Sequence, residues 1–242
     1  MSFKSNLLLW KEYLKIGIST AMEYRFNFVI QSVTMALNDI IWIAFWWILF
    51  SKFPVIQGWE LKDIVILYAV LITSFGISGV LLGNRSQIST IIAEGGLDFY
   101  LGLPKNELFH VLISKSDWYS MGDLGLGIIL AGFFLHLEQW PLFLLLVVFA
   151  AVIITSYNVI SGSLAFIFGH VEETSKTLNM SLISFGSYPI DIYTGVTKFI
   201  LLTLIPAGFV SSIPAQILKQ FSWEWMFLLA GASVIFLIIA YI

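Results

Sequence analysis

Residues 141–168 read PLFLLLVVFAAVIITSYNVISGSLAFIF, and this stretch decides the fold class. No charged residue interrupts its 28 positions. A transmembrane helix needs about 20 predominantly apolar residues, so the run can cross a bilayer with some tilt. Its apolar residues are continuous rather than alternating with polar ones. That pattern favours a helix over a strand of an outer-membrane barrel.

The composition extends this interpretation to the whole chain. Of the 242 residues, 59% are hydrophobic and 11% are charged, against about 25% charged residues in an ordinary soluble domain. A soluble all-helical core would need polar helix faces that are missing here. Cysteine is absent, and His110, His136 and His170 have no metal-ligand spacing. No basic block points to nucleic acid. We therefore predict an all-α integral membrane protein that binds no metal.

The apolar runs and the breaks between them predict a single transmembrane domain over residues 1–242. It comprises an interfacial helix, six spans, one polar segment and a re-entrant hairpin. In chain order these are the interfacial helix at residues 3–24, the spans at residues 26–50, 63–83, 118–137, 141–168, 177–193 and 223–242, the polar segment at residues 84–116, and the hairpin at residues 196–218.

Residues 3–24 have the pattern of an amphipathic helix. Apolar residues such as Leu7, Trp10 and Leu14 recur at helical spacing, and basic residues such as Lys4 and Lys11 cover the other side. Such a helix is suited to the membrane interface. The alternative is a helix that packs on the protein itself.

Two later segments carry glycines and prolines that shape the bundle. The third span is rich in glycine, which lets helix backbones approach closely in lipid. Residues 196–218 are apolar but interrupted, which predicts two half-depth helices covered by protein. A kinked full span is the alternative. The glycines of the third span are Gly122, Gly125, Gly127 and Gly132, and the interruptions are Pro206, Gly208 and Pro214.

The basic residues predict the orientation, because cytoplasmic loops carry an excess of Lys and Arg. With six spans and both termini inside, eight of the twelve basic residues fall on the cytoplasmic side, and the 84–116 segment lies there too. Those eight are Lys4, Lys11, Lys15, Arg25, Arg85, Lys105, Lys115 and Lys176. The sequence stops at the end of its last span with no basic residue after it, so we expect a short C-terminal tail to follow.

Charged residues near the spans are candidates for function. Asp39 lies near the middle of the first span, where a charge costs roughly 2.5–3.5 kcal/mol on insertion scales. It either contacts an ion or substrate in an internal cavity, or pairs with Asn38 or another polar neighbour, or lies shallower than the span centre. Asp123 is placed to pair with Arg85 or Lys115. Arg85 itself could anchor in anionic headgroups or reach a partner protein.

The chain carries no signature of an enzyme. The segment GNRSQIST lacks the second glycine and the lysine of a phosphate-binding loop. Glu172 and Glu173 are adjacent and would diverge on a helix. We therefore expect no catalytic residue in this chain.

Within the polar segment, residues 94–104 read EGGLDFYLGLP. A short helix ends at the Gly95–Gly96 pair, and a second turn presents apolar and aromatic side chains before Pro104. Exposed apolar residues on a cytosolic hairpin suit a groove on a partner. The alternative is a loop packed beneath its own spans.

Three motifs together resemble a known family. They are the Gly-x-Leu-Asp-x-Tyr-Leu…Pro element at residues 95–104, Tyr-Pro-x-x-Ile-Tyr at residues 188–193, and Ile-Pro-Ala-Gly-Phe-Val at residues 205–210 followed by Ser-Ile-Pro-Ala at residues 212–215. Over essentially its whole length the chain resembles the membrane subunits of type-2 ABC exporters, within them a bacterial family of short six-span permeases. The family often has a basic residue before the proline of the first motif, whereas this chain has Leu103 there and Lys105 after it.

The resemblance implies a division of labour in a bacterial inner membrane. Two separate ATP-binding subunits would hold ATP and Mg²⁺, and a second permease chain, identical or not, would complete the path. This chain would bind no cofactor and no nucleic acid. The hairpin with Pro206, Gly208 and Pro214 would cap the path outside, and Asp39, Trp42 and Trp46 are path candidates. The docking residues would be Ile88, Ile91, Ile92, Glu94, Leu97, Asp98, Phe99, Tyr100, Leu101, Pro104 and Lys105.

Two rival functions belong to other classes. One is a membrane scaffold or assembly protein that transports nothing. The other is an ion-coupled carrier that depends on Asp39. An aromatic-rich path would suit an amphipathic or lipid-like cargo, although nine Trp also suit anchoring at the membrane interface.

Overall fold

A computed structural model describes residues 3–242, and their regular structure is helical apart from one isolated bridge between Ile56 and Trp59. Short connections join successive helices, and several are single 3₁₀ turns. The α-helices are α1 (Phe3–Glu23), α2 (Arg25–Lys52), α3 (Leu61–Leu81), α4 (Ile88–Ala93), α5 (Leu97–Leu101), α6 (Glu107–Ile113), α7 (Met121–Phe134), α8 (Trp140–Ser163), α9 (Ala165–Phe168), α10 (Glu172–Gly186), α11 (Gly195–Thr203), α12 (Ala207–Val210), α13 (Ser212–Lys219) and α14 (Trp223–Tyr241).

Four helical stretches within the described residues are long and apolar enough to cross a membrane. They are α2, α3, the stretch Leu137–Phe168 that contains α8, and α14, and Trp118–Phe134 is a shorter apolar stretch. The prediction of an all-α membrane protein is thereby confirmed. The fifth predicted span overlaps α10, which has 15 residues and starts in the polar turn at Glu172. Six spans therefore stay a prediction.

The central helix of the bundle is α3. It is buried along most of its length, whereas α2 and α14 are mostly exposed. A helix that is hydrophobic all round needs neighbours on every side, and α3 packs against α7, α8 and α13. Its side chains, such as Leu67 and Val70, meet Leu146 and Ile154 of α8 in one continuous core. The exposed apolar faces of α2 and α14 are those left for lipid or for another chain.

Close backbone contacts fix α7 against two other helices. A Cβ atom added at Gly122 would overlap the carbonyl oxygen of Ser32 in α2, and one at Gly127 would overlap the hydroxyl of Thr73 in α3. Both glycines therefore permit close approach, as the sequence predicted. Gly125, by contrast, faces open space, so not every glycine of this helix lies at a contact.

Both ends of the segment at residues 196–218 contact the same side chain. Lys198, near its start, bonds Asp191 Oδ1 at 2.8 Å, and Gln216, near its end, donates to Asp191 Oδ2 at 2.6 Å. Trp59, in the loop between α2 and α3, donates to the same oxygen at 3.1 Å. The two arms of the segment therefore meet at one carboxylate.

Three short helices, rather than two, form this segment. The first break follows α11, and Pro206 precedes α12. The second break is at Ser211, whose hydroxyl donates to the carbonyl of Gly186 at 2.6 Å. Gly208 lies within α12, close to the side chain of Leu202, and Pro214 lies in the first turn of α13. The break at Ser211 thus supplies a side-chain donor to a carbonyl at the C-terminal end of α10.

The 84–116 segment covers the opposite end of the bundle as a 3₁₀ turn followed by α4, α5 and α6. The N-terminal helix α1 rests beside it. The Trp10 indole donates to the carbonyl of Leu81 at 3.2 Å, and Lys105 bonds the hydroxyl of Ser5. Other apolar residues of α1, including Leu7 and Ile18, stay exposed. One side of α1 thus packs on the protein and another remains free to meet a membrane surface.

Candidate functional site

A cavity of about 630 Å³ lies among α2, α3, α7, α8 and α10. Thirteen of the 20 residues that line it carry polar or charged side chains. Three helices contribute apolar residues to the same wall. The polar residues that line it are Thr34, Asn38, Asp39, Tyr68, Arg85, Ser86, Asp117, Tyr119, Ser120, Asp123, Asn158, Asn179 and Ser187.

Among the described residues that line this wall, Arg85 is the one basic residue, and it is only 8% exposed. It comes from the 3₁₀ turn Gly83–Gln87, which directs it back beneath the helices. Burial lowers the pKa of Arg85, and the neighbouring carboxylate of Asp117 opposes that shift. Burial likewise raises the pKa of Asp117, with Arg85 and Lys115 acting against it. Arg85 is therefore buried in the wall of a cavity and is not exposed at the outer surface of the protein.

Asp39 and Asp123 lie beside each other on facing helices. The close contact of Gly122 with Ser32 brings α7 against α2, and Asp123 follows Gly122 directly. One carboxylate oxygen of each residue, Oδ2 of Asp39 and Oδ1 of Asp123, is buried without a hydrogen-bond partner. The cavity wall thus holds two adjacent carboxyl groups, each with one oxygen that has no hydrogen-bond partner within the described chain.

The two tryptophan candidates have different surroundings. Trp42 lines the cavity and meets Tyr188 edge-on at 6.2 Å. Trp46 is 2% exposed and donates its indole N–H to the hydroxyl of Tyr68 at 3.3 Å. Trp46 therefore belongs to the helical core, behind Tyr68, and only Trp42 and Asp39 of the three path candidates reach the cavity.

The candidate docking residues divide into an inner and an outer set. Ile88 belongs to a small buried cluster with Val111 and Val159. Ile91, Ile92, Leu97 and Tyr100 pack against this cluster, and so does Ala240 of α14. In the outer set, Phe99 is 65% and Leu101 58% exposed. Glu94, Asp98 and Pro104 are exposed beside them, and Lys105 is half-buried. The inner set anchors the segment to α8 and α14, and α5 presents the outer set away from the bundle.

Polar contacts hold α5 in this orientation. The hydroxyl of Tyr100 is 3.0 Å from that of Ser114, and its ring meets His110 edge-on at 5.2 Å. Nε2 of His110 is 2.7 Å from the hydroxyl of Tyr13 in α1. Burial, aided by the positive charge of Lys105, lowers the pKa of His110. A chain of contacts therefore runs from α1 through α6 to the exposed tip of α5.

Sequence reasoning missed two features of these sites. It assigned no role to Asp191, whereas the Asp191 carboxylate binds Trp59, Lys198 and Gln216. It also considered Asp39 and Asp123 separately. The residues within one helical turn of each aspartate do not indicate that the two carboxyl groups are close. They are neighbours only because α2 packs against α7.

Comparison with known proteins places these features in a family. No curated protein sequence matches the chain significantly. The family model described as ABC-2 family transporter protein matches residues 34–242. That range includes the cavity, the 84–116 segment and the interrupted helices α11 to α13. The chain therefore belongs to the ABC-2 transporter family, as the motifs predicted, and is a membrane permease component of an ABC transporter.

Proposed function

We propose that this protein is the permease subunit of an ATP-driven exporter in a bacterial inner membrane. The observation that carries the proposal is the division of the 84–116 segment into an anchored inner set and an exposed outer set. Phe99 and Leu101 are large apolar side chains at the tip of a short helix, which is the chemistry of a helix that enters a partner's groove. Members of this family generally work with ATP-binding subunits, so an ATP-binding subunit is the partner we propose.

Coupling follows from how the tip is held. A displacement of α5 is transmitted to α8 and α14 through Leu97 and the apolar cluster around Val159. It is also transmitted to α1 through His110 and Tyr13. Two ATP-binding subunits would bind ATP and Mg²⁺ and hydrolyse the ATP, so this chain needs no catalytic residue. Their closure would move the 84–116 segments of two paired permeases and rock the helices that surround each cavity.

The topology we propose has six spans with both termini in the cytoplasm. The passes are α2, α3, the apolar stretch that ends with α7, α8, α10 extended by the turn at Ile190–Ile192, and α14. The arms of the segment at residues 196–218 both return to Asp191, which supports a re-entrant hairpin. That hairpin would cover the outer end of the path. The exposed apolar face of α2, beside the cavity, is available to a second permease, identical or not.

Co-purification tests the docking proposal. The permease is solubilised mildly from cells that co-express it with its ATP-binding subunit. We expect Phe99→Ser combined with Leu101→Ser to reduce the recovered subunit at least tenfold. The matched control is Leu137→Ser combined with Phe221→Ser, since these residues are also exposed but lie at the opposite end of the bundle.

Two results would contradict the proposal. One is that no ATP-binding subunit accompanies the wild-type permease, which would favour the scaffold or the ion-coupled carrier. The other is that the double variant at the tip retains the subunit as well as the control does. In that case the subunit would dock elsewhere on the chain.

A further inference from the structure

Four polar atoms of residues that line the cavity are buried and lack a hydrogen-bond partner within the described chain. They are Nε and Nη1 of Arg85, Oδ2 of Asp39 and Oδ1 of Asp123. Buried polar groups are nearly always hydrogen-bonded, so each exception needs an explanation. The three residues that carry these atoms line one cavity, and Arg85 is more than nine-tenths buried. A bound molecule that satisfies all four would explain them together.

The chemistry of these atoms defines that molecule. A guanidinium has five N–H donors and no acceptor, so Arg85 requires an oxyanion or another acceptor. Two adjacent carboxyl groups repel each other when both are ionised, so Asp39 and Asp123 favour a cationic donor between them, and an ammonium group supplies up to three N–H donors. Asp117 lies on the Arg85 side of the cavity and supplies a counter-charge there. A ligand with an amine and an oxyanion in one head group meets both demands.

The walls of the cavity indicate that the ligand is amphipathic. Leu71, Ile72 and Phe75 of α3 form an apolar wall behind the charged residues. Trp42 on α2 and Met180 on α10 line the cavity and are also exposed at the protein surface, by 37% and 64%. The cavity therefore opens sideways between α2 and α10, through apolar residues. An acyl or alkyl tail can leave by this opening while the head group stays inside.

We propose that this cavity binds the head group of a zwitterionic amphiphile, with its amine against Asp39 and Asp123 and its oxyanion against Arg85. An aminophospholipid has this chemistry, and so does a soluble phosphoamine. That the bound molecule is also the exported cargo rests on the proposed function. Binding itself does not, since it needs no ATP-binding subunit.

The test measures binding to the purified full chain in detergent by native mass spectrometry. The probes are short-chain phosphatidylethanolamine, phosphatidylglycerol with the same chains, and free phosphoethanolamine as a competitor. We expect the wild type to bind phosphatidylethanolamine about tenfold more tightly than phosphatidylglycerol, because only the former brings an ammonium group to the carboxylates. If phosphoethanolamine displaces phosphatidylethanolamine, a soluble zwitterion is sufficient for binding. If it does not, the ligand is the lipid. Either result supports a binding site in the cavity.

Variants locate the binding within the cavity. Asp39→Asn and Asp123→Asn keep the side-chain shape and should lower the preference for the aminophospholipid to about one. Arg85→Gln should weaken the binding of both phospholipids. Because the loss of a buried arginine can unfold the protein, the test depends on the two aspartate variants. Glu224→Gln is the control, since this carboxyl is exposed on α14, far from the cavity.

The proposal is overturned if wild-type protein binds the two phospholipids equally. It is equally overturned if Asp39→Asn and Asp123→Asn both keep the wild-type preference. These results leave the docking of an ATP-binding subunit untouched, because no such subunit is present in the experiment. Conversely, loss of that docking does not alter the expected lipid preference.

Discussion

The hydroxyl of Tyr13 in the N-terminal helix lies 2.7 Å from Nε2 of His110, 97 residues further along the chain. His110 in turn meets the ring of Tyr100 on the helix that carries the exposed tip. This contact makes α1 part of the proposed coupling device and not only an interfacial anchor. It also gives the N-terminal helix a fixed position relative to the 84–116 segment.

Removing the Tyr13 hydroxyl should loosen α1. A hydrogen bond contributes about 1 kcal/mol net to stability, and Tyr13→Phe deletes this one while keeping the ring. We expect a melting temperature a few degrees lower in detergent. Tyr24→Phe is the matched control, because Tyr24 is 61% exposed at the junction of α1 with α2. Equal melting temperatures for the two variants would show that the contact adds no stability.

The same contact should make stability depend on pH. Burial, aided by Lys105, lowers the pKa of His110 below its ordinary value of 6.5, so the folded protein binds this proton less readily than the unfolded chain. The stabilisation is therefore fully present above the ordinary pKa and is lost as the pH falls through the lower, folded-state pKa. Melting temperatures measured between about pH 5 and pH 8 should fall on the acidic side.

His110→Gln provides the comparison for this prediction. Glutamine can still hydrogen-bond the Tyr13 hydroxyl but does not titrate. We expect the melting temperature of the variant to fall less at acidic pH than that of the wild type, because the contribution of His110 is absent. An unchanged decline in the variant would assign the pH dependence to other groups, such as carboxylates.

The close approach of α7 to α2 should tolerate no larger side chain at Gly122. The Cβ of Gly122→Ala would overlap the backbone of Ser32, so the helices must separate, at a cost of about 1–3 kcal/mol for overpacking. The variant should melt at a lower temperature. Gly125→Ala is the matched control on the same helix, since its Cβ meets open space, and alanine there favours the helix by up to about 1 kcal/mol.

The re-entrant hairpin can be tested by labelling, because the natural chain has no cysteine. Thr194 and Gln220 flank the segment and are both exposed. For a hairpin, Thr194→Cys and Gln220→Cys should react with an impermeant maleimide from the same side of the membrane, opposite to Glu94→Cys. A segment that crosses the membrane as one kinked span would place the two cysteines on opposite sides.

The fold class follows from the sequence alone, because long uncharged runs such as residues 141–168 can satisfy their backbone in lipid only as helices. Local composition also located the breaks around Pro206 and the helix end at Gly95–Gly96, since proline lacks a donor and glycine tolerates a positive φ, here 72° at Gly95. The motifs indicated the family, which the match over residues 34–242 confirms. The sequence also indicated that the apolar side chains of Phe99 and Leu101 are exposed.

Only the tertiary structure decided which distant residues meet. Asp39, Asp123 and Arg85 share a cavity because Gly122 lets α7 reach α2 and a 3₁₀ turn directs Arg85 beneath the helices. Trp46 has the sequence surroundings of Trp42, yet its position on α2 turns it towards Tyr68 in the core. Helical spacing fixes the relation of residues within about one turn, whereas the pairing of one helix face with another depends on packing across the whole bundle.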